Sequence, residues 1–186
     1  MLAAPHPQQA ERIAALRAYD ILDTPREADF DDIVRLASQI CGTPISVINL
    51  IDVERQWFKA EVGLGVRETP LDTSLCSHAI LEDAFMEISD TLADRRMQDN
   101  ALCTGEPGLR FYAGALLRTE DGLPLGTLCV LDYEPRVLSD FQRDALSILA
   151  RQIMKQLDLR MALKRQELMQ KEVDHRVKNS LASVAG

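Results

Sequence analysis

Between Ser139 and Ala185 the chain contains neither glycine nor proline, and no other feature constrains the fold as much. Ser139 with Gln142 forms a capping box at the start of this stretch. A continuous helix over it runs about 70 Å at 1.5 Å per residue. That is longer than a domain built from the preceding residues can cover, so the far half of the helix must leave the body. Its first turns, with Phe141, Ala145, Ile148, Leu149 and Ile153, are expected to lie over a sheet. Further on, Met154, Leu157, Met161 and Leu168 keep a narrow a/d-like seam, interrupted at Lys164, while Lys155, Arg160, Arg165, Glu167 and Lys171 fill the other faces. That pattern predicts a two-stranded parallel coiled coil and hence a homodimer, with a solvated single helix as the alternative.

The residues before it alternate helical and strand patterns. Ile13, Ala14 and Leu16 mark one side of a short helix over 10–20. In "DTPREADF", Thr24 reads as an N-cap, Pro25 as the first helical residue and Glu27 as the end of a T-x-x-E box. Phe30, Ile33, Val34, Ala37, Ile40 and Cys41 follow at helical spacing up to Gly42. "PISVINLID" and "RQWFKAEVG" read as an antiparallel strand pair joined by a tight turn. After a turn-rich loop, "SLCSHAILED" reads as a short helix and "FMEISD" as a strand. Residues 110–132 form a hairpin around Asp121-Gly122.

Composition narrows the partners. A 186-residue chain with 46% hydrophobic and 27% charged residues can bury one core and carry an appendage. Its net charge of -8 repels polyanions, so neither nucleic acid nor a membrane surface is an expected partner. With no signal-peptide pattern and no long apolar run, a cytoplasmic setting is expected. Cys41, Cys76, Cys103 and Cys129 include no C-x-x-C pair and read as buried, reduced thiols.

His175 stands near the end of the long helix. At about 100° per residue, Val173, Val177, Leu181 and Val184 share one side, and His175 lies about 165° from their mean direction. It therefore points to solvent, with Lys178 and Asn179 on its own side. An exposed imidazole is largely neutral at cellular pH, and its free lone pair can attack phosphorus. The string "EVDHRVKNSLASVAG", with its core His175-Arg176-Val177-Lys178-Asn179, resembles the phosphoacceptor box of HWE-type and closely related bacterial sensor histidine kinases. The resemblance implies that His175 is phosphorylated from ATP and relayed to an aspartate on the receiver domain of a response regulator. The larger kinase class has an acidic residue after the histidine, where Arg176 stands here; Glu172 and Asp174 are the nearby carboxylates. No Gly-rich phosphate loop follows a strand, so ATP and Mg would be used by a kinase domain outside this chain, which is expected to be a sensor fragment inactive alone.

The phrases "ILDTPREADFDDIVRLASQICGTPISVINLID", "RQWFKAEVG", "LCSHAI", "TGEPGLRFYAGALL" and "GTLCVLD" resemble GAF sensor domains. The implied architecture is α/β (α+β): a GAF-type central antiparallel β-sheet flanked by helices on both sides, with a long C-terminal signalling helix. Residues 1–9 are then a tail, 10–158 the GAF sensor domain, and 159–186 a coiled-coil linker and the start of the phosphoacceptor helix. The resemblance also implies a small-molecule pocket on one face, bordered by Trp57, Phe58, Cys76, His78, Arg110, Tyr112 and Cys129. Core packing competes as an explanation for Trp57, Phe58 and Tyr112. Cys76 and His78, two apart on a helix, diverge by about 200° and grip one metal ion poorly. Ser77 between them departs from the bilin-attachment pattern. No cofactor is assigned. The alternative to a sensor is a GAF-fold small-molecule-binding or thiol redox enzyme, which needs two cysteines able to meet; Cys76 and Cys103 show no such motif.

Overall fold

The computed structural model describes residues 2–184, with side-chain environments through Asn179; Leu181 and Val184, expected on the apolar side of the last turns, fall outside those side chains. Strands β1 (Ile45–Ile51), β2 (Arg55–Val62), β3 (Glu68–Pro70), β4 (Phe85–Ile88), β5 (Phe111–Arg118) and β6 (Pro124–Asp132) form one sheet in the order β3-β2-β1-β6-β5-β4. Every neighbouring pair is antiparallel. Helices α1 (Gln9–Ala18), α2 (Ala28–Cys41) and α5 (Asp140–Val184) pack on one face, while the short α3 (Cys76–Ala79) and α4 (Ala101–Thr104) lie on the other. The sheet is antiparallel with helices on both sides, as the sequence implies. The three-residue β3 and the four-residue α4 are additions that no periodicity can signal over so few residues.

Strand alternation divides the interior into two cores. Ile48, Leu50, Trp57, Phe111, Ala113, Ala115, Leu128 and Val130 face α1, α2 and α5. Ile45, Val47, Phe58, Tyr112, Cys129 and Leu131 face α3 and α4. The register of β1 and β2 shifts between Ile48 and Asn49, where Ile48 pairs with Ala60 and Asn49 with Phe58. Lys59 is the extra residue of that bulge and is delivered to the helix side. Gly126 of β6 has no room for a Cβ, because the Asn49 carbonyl of β1 presses against it.

The beginning of α2 departs from the capping-box reading. The helix starts at Ala28, Thr24 donates its hydroxyl to the Ile21 carbonyl (2.7 Å), and Glu27 caps nothing with its side chain. These residues serve the buried Lys59 instead. Its ammonium donates to Thr24 Oγ1 (2.9 Å), the Pro25 carbonyl (2.7 Å) and Glu27 Oε1 (2.5 Å), and stands 5.2 Å from the centre of the Phe30 ring. Burial pulls the Lys59 ammonium down by more than Glu27 restores, but its three acceptors identify it as charged. Tertiary demand for a counter-charge outweighs the local cap. The other end of α2 follows expectation: Gly42 takes the left-handed conformation (φ 63°) that closes a helix.

The phase of α5 is also corrected. Its capping box forms, with the Ser139 amide donating to Gln142 Oε1 (2.9 Å) and the Gln142 amide to Ser139 Oγ (3.3 Å). The stripe on the sheet is Leu146, Ala150, Ile153, Met154 and Leu157, whereas Phe141 and Ile148 are 71% and 47% exposed. Met154 and Leu157, read as the start of an intermolecular seam, are thus part of the domain's own core. In α1, Ala14 is exposed and Arg12 takes the buried position, its Nη1 donating to the Ile51 carbonyl at 2.6 Å. Among the described residues no helix is long and apolar enough to cross a membrane.

Candidate functional site

A cavity of about 410 Å³ lies between the sheet and the segments carrying α3 and α4. Its sheet wall comes from alternate residues of neighbouring strands: Ile45, Val47 and Asn49 of β1, Gln56 and Phe58 of β2, and Cys129 and Leu131 of β6. Leu75, Cys76 and the 101–109 segment close it from outside. The lining is mostly apolar, with Glu106 on the outer segment and a polar cluster at one end. There Asn49 Nδ2 donates to Gln56 Oε1 (2.9 Å), Ser74 Oγ donates to the same oxygen (2.8 Å), and Gln56 Nε2 reaches Thr69 Oγ1 (2.5 Å). Asn49 Oδ1 and the neighbouring Thr127 Oγ1 are buried without a hydrogen-bond partner. A mostly apolar hollow with a few fixed polar atoms suits a small organic ligand with at least one polar group.

The sequence-derived pocket residues divide. Phe58, Cys76 and Cys129 line the cavity. Tyr112 is buried behind them, with its hydroxyl 3.4 Å from Cys76 Sγ. Trp57 is corrected to the opposite core under the helices, because adjacent residues of a strand face opposite sides and Phe58 occupies the cavity side. Arg110 stays outside, chelating the Asp90 carboxylate through Nε (3.0 Å) and Nη2 (2.8 Å). His78 is buried in α3 but does not line the cavity. Asn49 and Gln56 went unread, although an amide inside so apolar a run as "PISVINLID" is itself a signal: a polar group buried in a strand needs partners.

Two thiols that the chain separates meet at this wall. Cys76 Sγ and Cys129 Sγ are 3.7 Å apart. Burial pushes the Cys76 thiol up, but Cys129, Thr127, Tyr112 and Asn49 around its sulfur more than reverse that, and the net direction is down. Cys129 moves up, chiefly because its hydrogen bond to Cys76 holds its proton, with burial adding to the effect. Cys41 and Cys103 are buried elsewhere, and burial pushes both of their thiols up. Among the described residues no group of three or more His, Cys, Asp or Glu side chains is placed to hold a metal ion.

Along α5 the contacts with the body end at a polar clamp. Tyr19 donates to Asp158 Oδ1 (2.6 Å), Arg160 Nη1 donates to the Glu27 oxygen that also receives Lys59 (2.5 Å), and Lys164 pairs with Asp20. From there the helix runs free to His175, which is exposed. Glu172, one of the two carboxylates near the histidine, is engaged by Arg176.

The GAF domain family profile matches residues 25–157. The chain belongs to the GAF domain family. It is 42% identical over 137 residues to the cyclic di-GMP phosphodiesterase PA2567 of Pseudomonas aeruginosa, a match covering 73% of this chain and 23% of that protein. The chain therefore spans about a quarter of that relative's length. Among solved structures it resembles the domain of a putative two-component sensor histidine kinase from Sinorhizobium meliloti (TM-score 0.56, 17% identity, 74% of this chain and 95% of that one). It resembles equally the type II free methionine-R-sulfoxide reductase of Thermoplasma acidophilum (TM-score 0.57, 14% identity, 70% and 90%). The GAF fold thus serves sensors and enzymes alike, and only particular residues can separate those roles.

Proposed function

We propose that this chain is the sensory input module of a cytoplasmic two-component histidine kinase, in which the GAF cavity receives a small molecule and α5 carries the response to the phosphoacceptor His175. The observation that supports it most is α5 itself: one unbroken helix packs on the sheet through Leu157, is clamped at Asp158, Arg160 and Lys164, and then presents an exposed imidazole within H-R-V-K-N. A ring nitrogen of His175 attacks the γ-phosphorus of ATP held with Mg by a separate kinase domain. The bond to ADP breaks, and the phosphoryl group passes to an aspartate of a receiver domain. The match to a phosphodiesterase is consistent with one sensor type joined to different outputs.

The module works as a parallel homodimer. The interface proposed is not the row ending in Leu157, which the domain uses itself, but the outward row of α5: Phe141, Ala145, Ile148, Gln152, Gln156, Leu159, Leu163, Gln166, Gln170, Val173 and Val177. It advances in steps of three and four and holds no charged side chain. Phe141, Leu159, Leu163, Val173 and Val177 of this row are each more than half exposed, a row that a second copy of the same helix would cover. His175 lies about 180° away from it and stays open to a kinase domain.

Incubation with a histidine-kinase ATP-binding domain and ATP should place an acid-labile phosphoryl group on the protein, lost completely in His175→Ala and kept in His78→Ala. Label persisting on His175→Ala refutes the assignment. The nearness of Cys76 and Cys129 favours a second reading, a thiol enzyme acting in the cavity. Catalytic reduction of free methionine sulfoxide by the purified chain would establish it in place of the sensor.

A further inference from the structure

Cys76 and Cys129 are 53 residues apart in sequence, and their sulfurs are 3.7 Å apart in the fold. One sits at the start of α3, the other in the middle of β6, and both form part of the cavity wall. Cys76 Sγ has the Tyr112 hydroxyl at 3.4 Å, with Asn49 and Thr127 also close to it. The hydroxyl groups of Tyr112 and Thr127 and the side-chain amide N–H of Asn49 can donate to a thiolate, and Thr127 Oγ1 otherwise has no partner. Cys41 and Cys103 are buried without a second thiol, so this pair is the place where the described residues can form an internal disulfide.

We propose that Cys76 and Cys129 are a reversible dithiol–disulfide site in the cavity wall, oxidised by a small hydroperoxide that enters the cavity. The Cys76 thiolate attacks one peroxide oxygen. The O–O bond breaks, the departing oxygen leaves as water or alcohol with the proton that Cys76 released, and a sulfenic acid remains on Cys76. Cys129 Sγ then attacks Cys76 Sγ. The S–O bond breaks, and the hydroxide leaves as water with the Cys129 proton. In sum, two thiols lose two electrons and two protons, and the peroxide is reduced. A dithiol reductant reverses the reaction by exchange.

The sulfurs must close from 3.7 Å to about 2.05 Å, a change that draws the start of α3 toward β6. Leu75 and Cys76 belong to the cavity lining, so oxidation reshapes the space available to a ligand. This site goes beyond the phosphoacceptor reading and does not depend on it, since neither sulfur touches α5. It also differs from a thiol enzyme: oxidation consumes one peroxide per chain and stops unless a reductant is added.

The test is peptide mapping of the reduced full chain after exposure to a small molar excess of hydrogen peroxide under native conditions, followed by alkylation. The expected product is a Cys76–Cys129 linked peptide pair, lighter by two hydrogens and restored by dithiothreitol, with Cys41 and Cys103 still alkylated. Loss of free Cys76 should be about tenfold faster than loss of Cys41 or Cys103, because a stabilised thiolate in a cavity outruns buried lone thiols. In Cys129→Ser, dimedone should capture a sulfenic acid at Cys76; in Cys76→Ser, no dimedone adduct should appear at Cys129. The fluorescence of Trp57, the one tryptophan, reports whether each variant is folded. If a variant does not fold, the wild-type map decides alone. A cross-link that forms only in denaturant, or four cysteines oxidised at equal rates, overturns the proposal.

Discussion

The two halves of α5 share one helix and almost nothing else. Up to Met161, apolar side chains lie beneath it at each turn: Leu146, Ile153, Met154 and Leu157, with the small Ala150 between them, are buried against the sheet and α2. From Ala162 onward every described side chain is exposed, including Leu163, Leu168, Met169, Val173 and Val177. The first half is held by burial worth about 2 kcal/mol for each large side chain. The second has only helix propensity and side-chain pairs such as Glu172–Arg176, worth a few tenths of a kcal/mol each. Covalent continuity and the clamp at Asp158, Arg160 and Lys164 are what join the two. The difference teaches that the sensor acts on the far half by moving the near half and the clamp, because beyond the Lys164–Asp20 pair no salt bridge or hydrogen bond joins the described far half to the domain.

The sharpest way to break this comparison is to place a charge in each half. Leu157→Lys puts an ammonium into a site that is 2% exposed and should cost about 4 kcal/mol or more, through lost packing and an unpaired buried charge. Urea unfolding followed through Trp57 measures it. A near-wild-type midpoint would mean that α5 does not belong to the core.

A smaller effect is expected at the clamp. Glu27→Gln leaves the buried Lys59 without its counter-charge and weakens the hold on Arg160, for a loss of about 2 kcal/mol at neutral pH. The pH dependence follows from Glu27. Burial pushes its carboxyl up, but the hydrogen bonds from Lys59 and Arg160 outweigh that, so the folded value lies below the ordinary 4.5. A carboxyl depressed on folding contributes stability above its unfolded value and loses that contribution as pH falls through the folded one. The gap between wild type and Glu27→Gln should therefore be full at neutral pH and shrink once pH falls below about 4.5. A gap that is constant down to pH 3 would place the effect in packing rather than charge.

The smallest effect on domain stability belongs to the free half. Leu163→Lys with Val173→Lys should change the unfolding free energy by no more than about 0.5 kcal/mol, while light scattering shows dimer replaced by monomer. An unchanged dimer would place the contact elsewhere, and a wild-type chain that is monomeric at tens of micromolar would remove the dimer altogether.

Much of this architecture could be read from the chain alone. The glycine- and proline-free run after Ser139 specified a helix longer than its domain, since nothing in it interrupts the hydrogen-bond ladder. Gly42 marked the end of α2, and the alternating runs around Asp121-Gly122 specified the β5–β6 hairpin. In each case the determinant is local backbone chemistry. His175 and its flanking residues were likewise legible, because exposure on a helix follows from angle. What only the tertiary structure decided depends on partners distant in sequence. Helical spacing leaves phase open when apolar residues occur on two sides, so packing on the sheet chose Leu146 and Leu157 for the core and left Phe141 and Ile148 outside. The buried Lys59 took Glu27 away from its cap. Strand pairing sent Trp57 and Phe58 to opposite cores, and it brought Cys129 of β6 to 3.7 Å from Cys76, a meeting that no spacing in a linear chain can announce because it depends on which strands lie side by side.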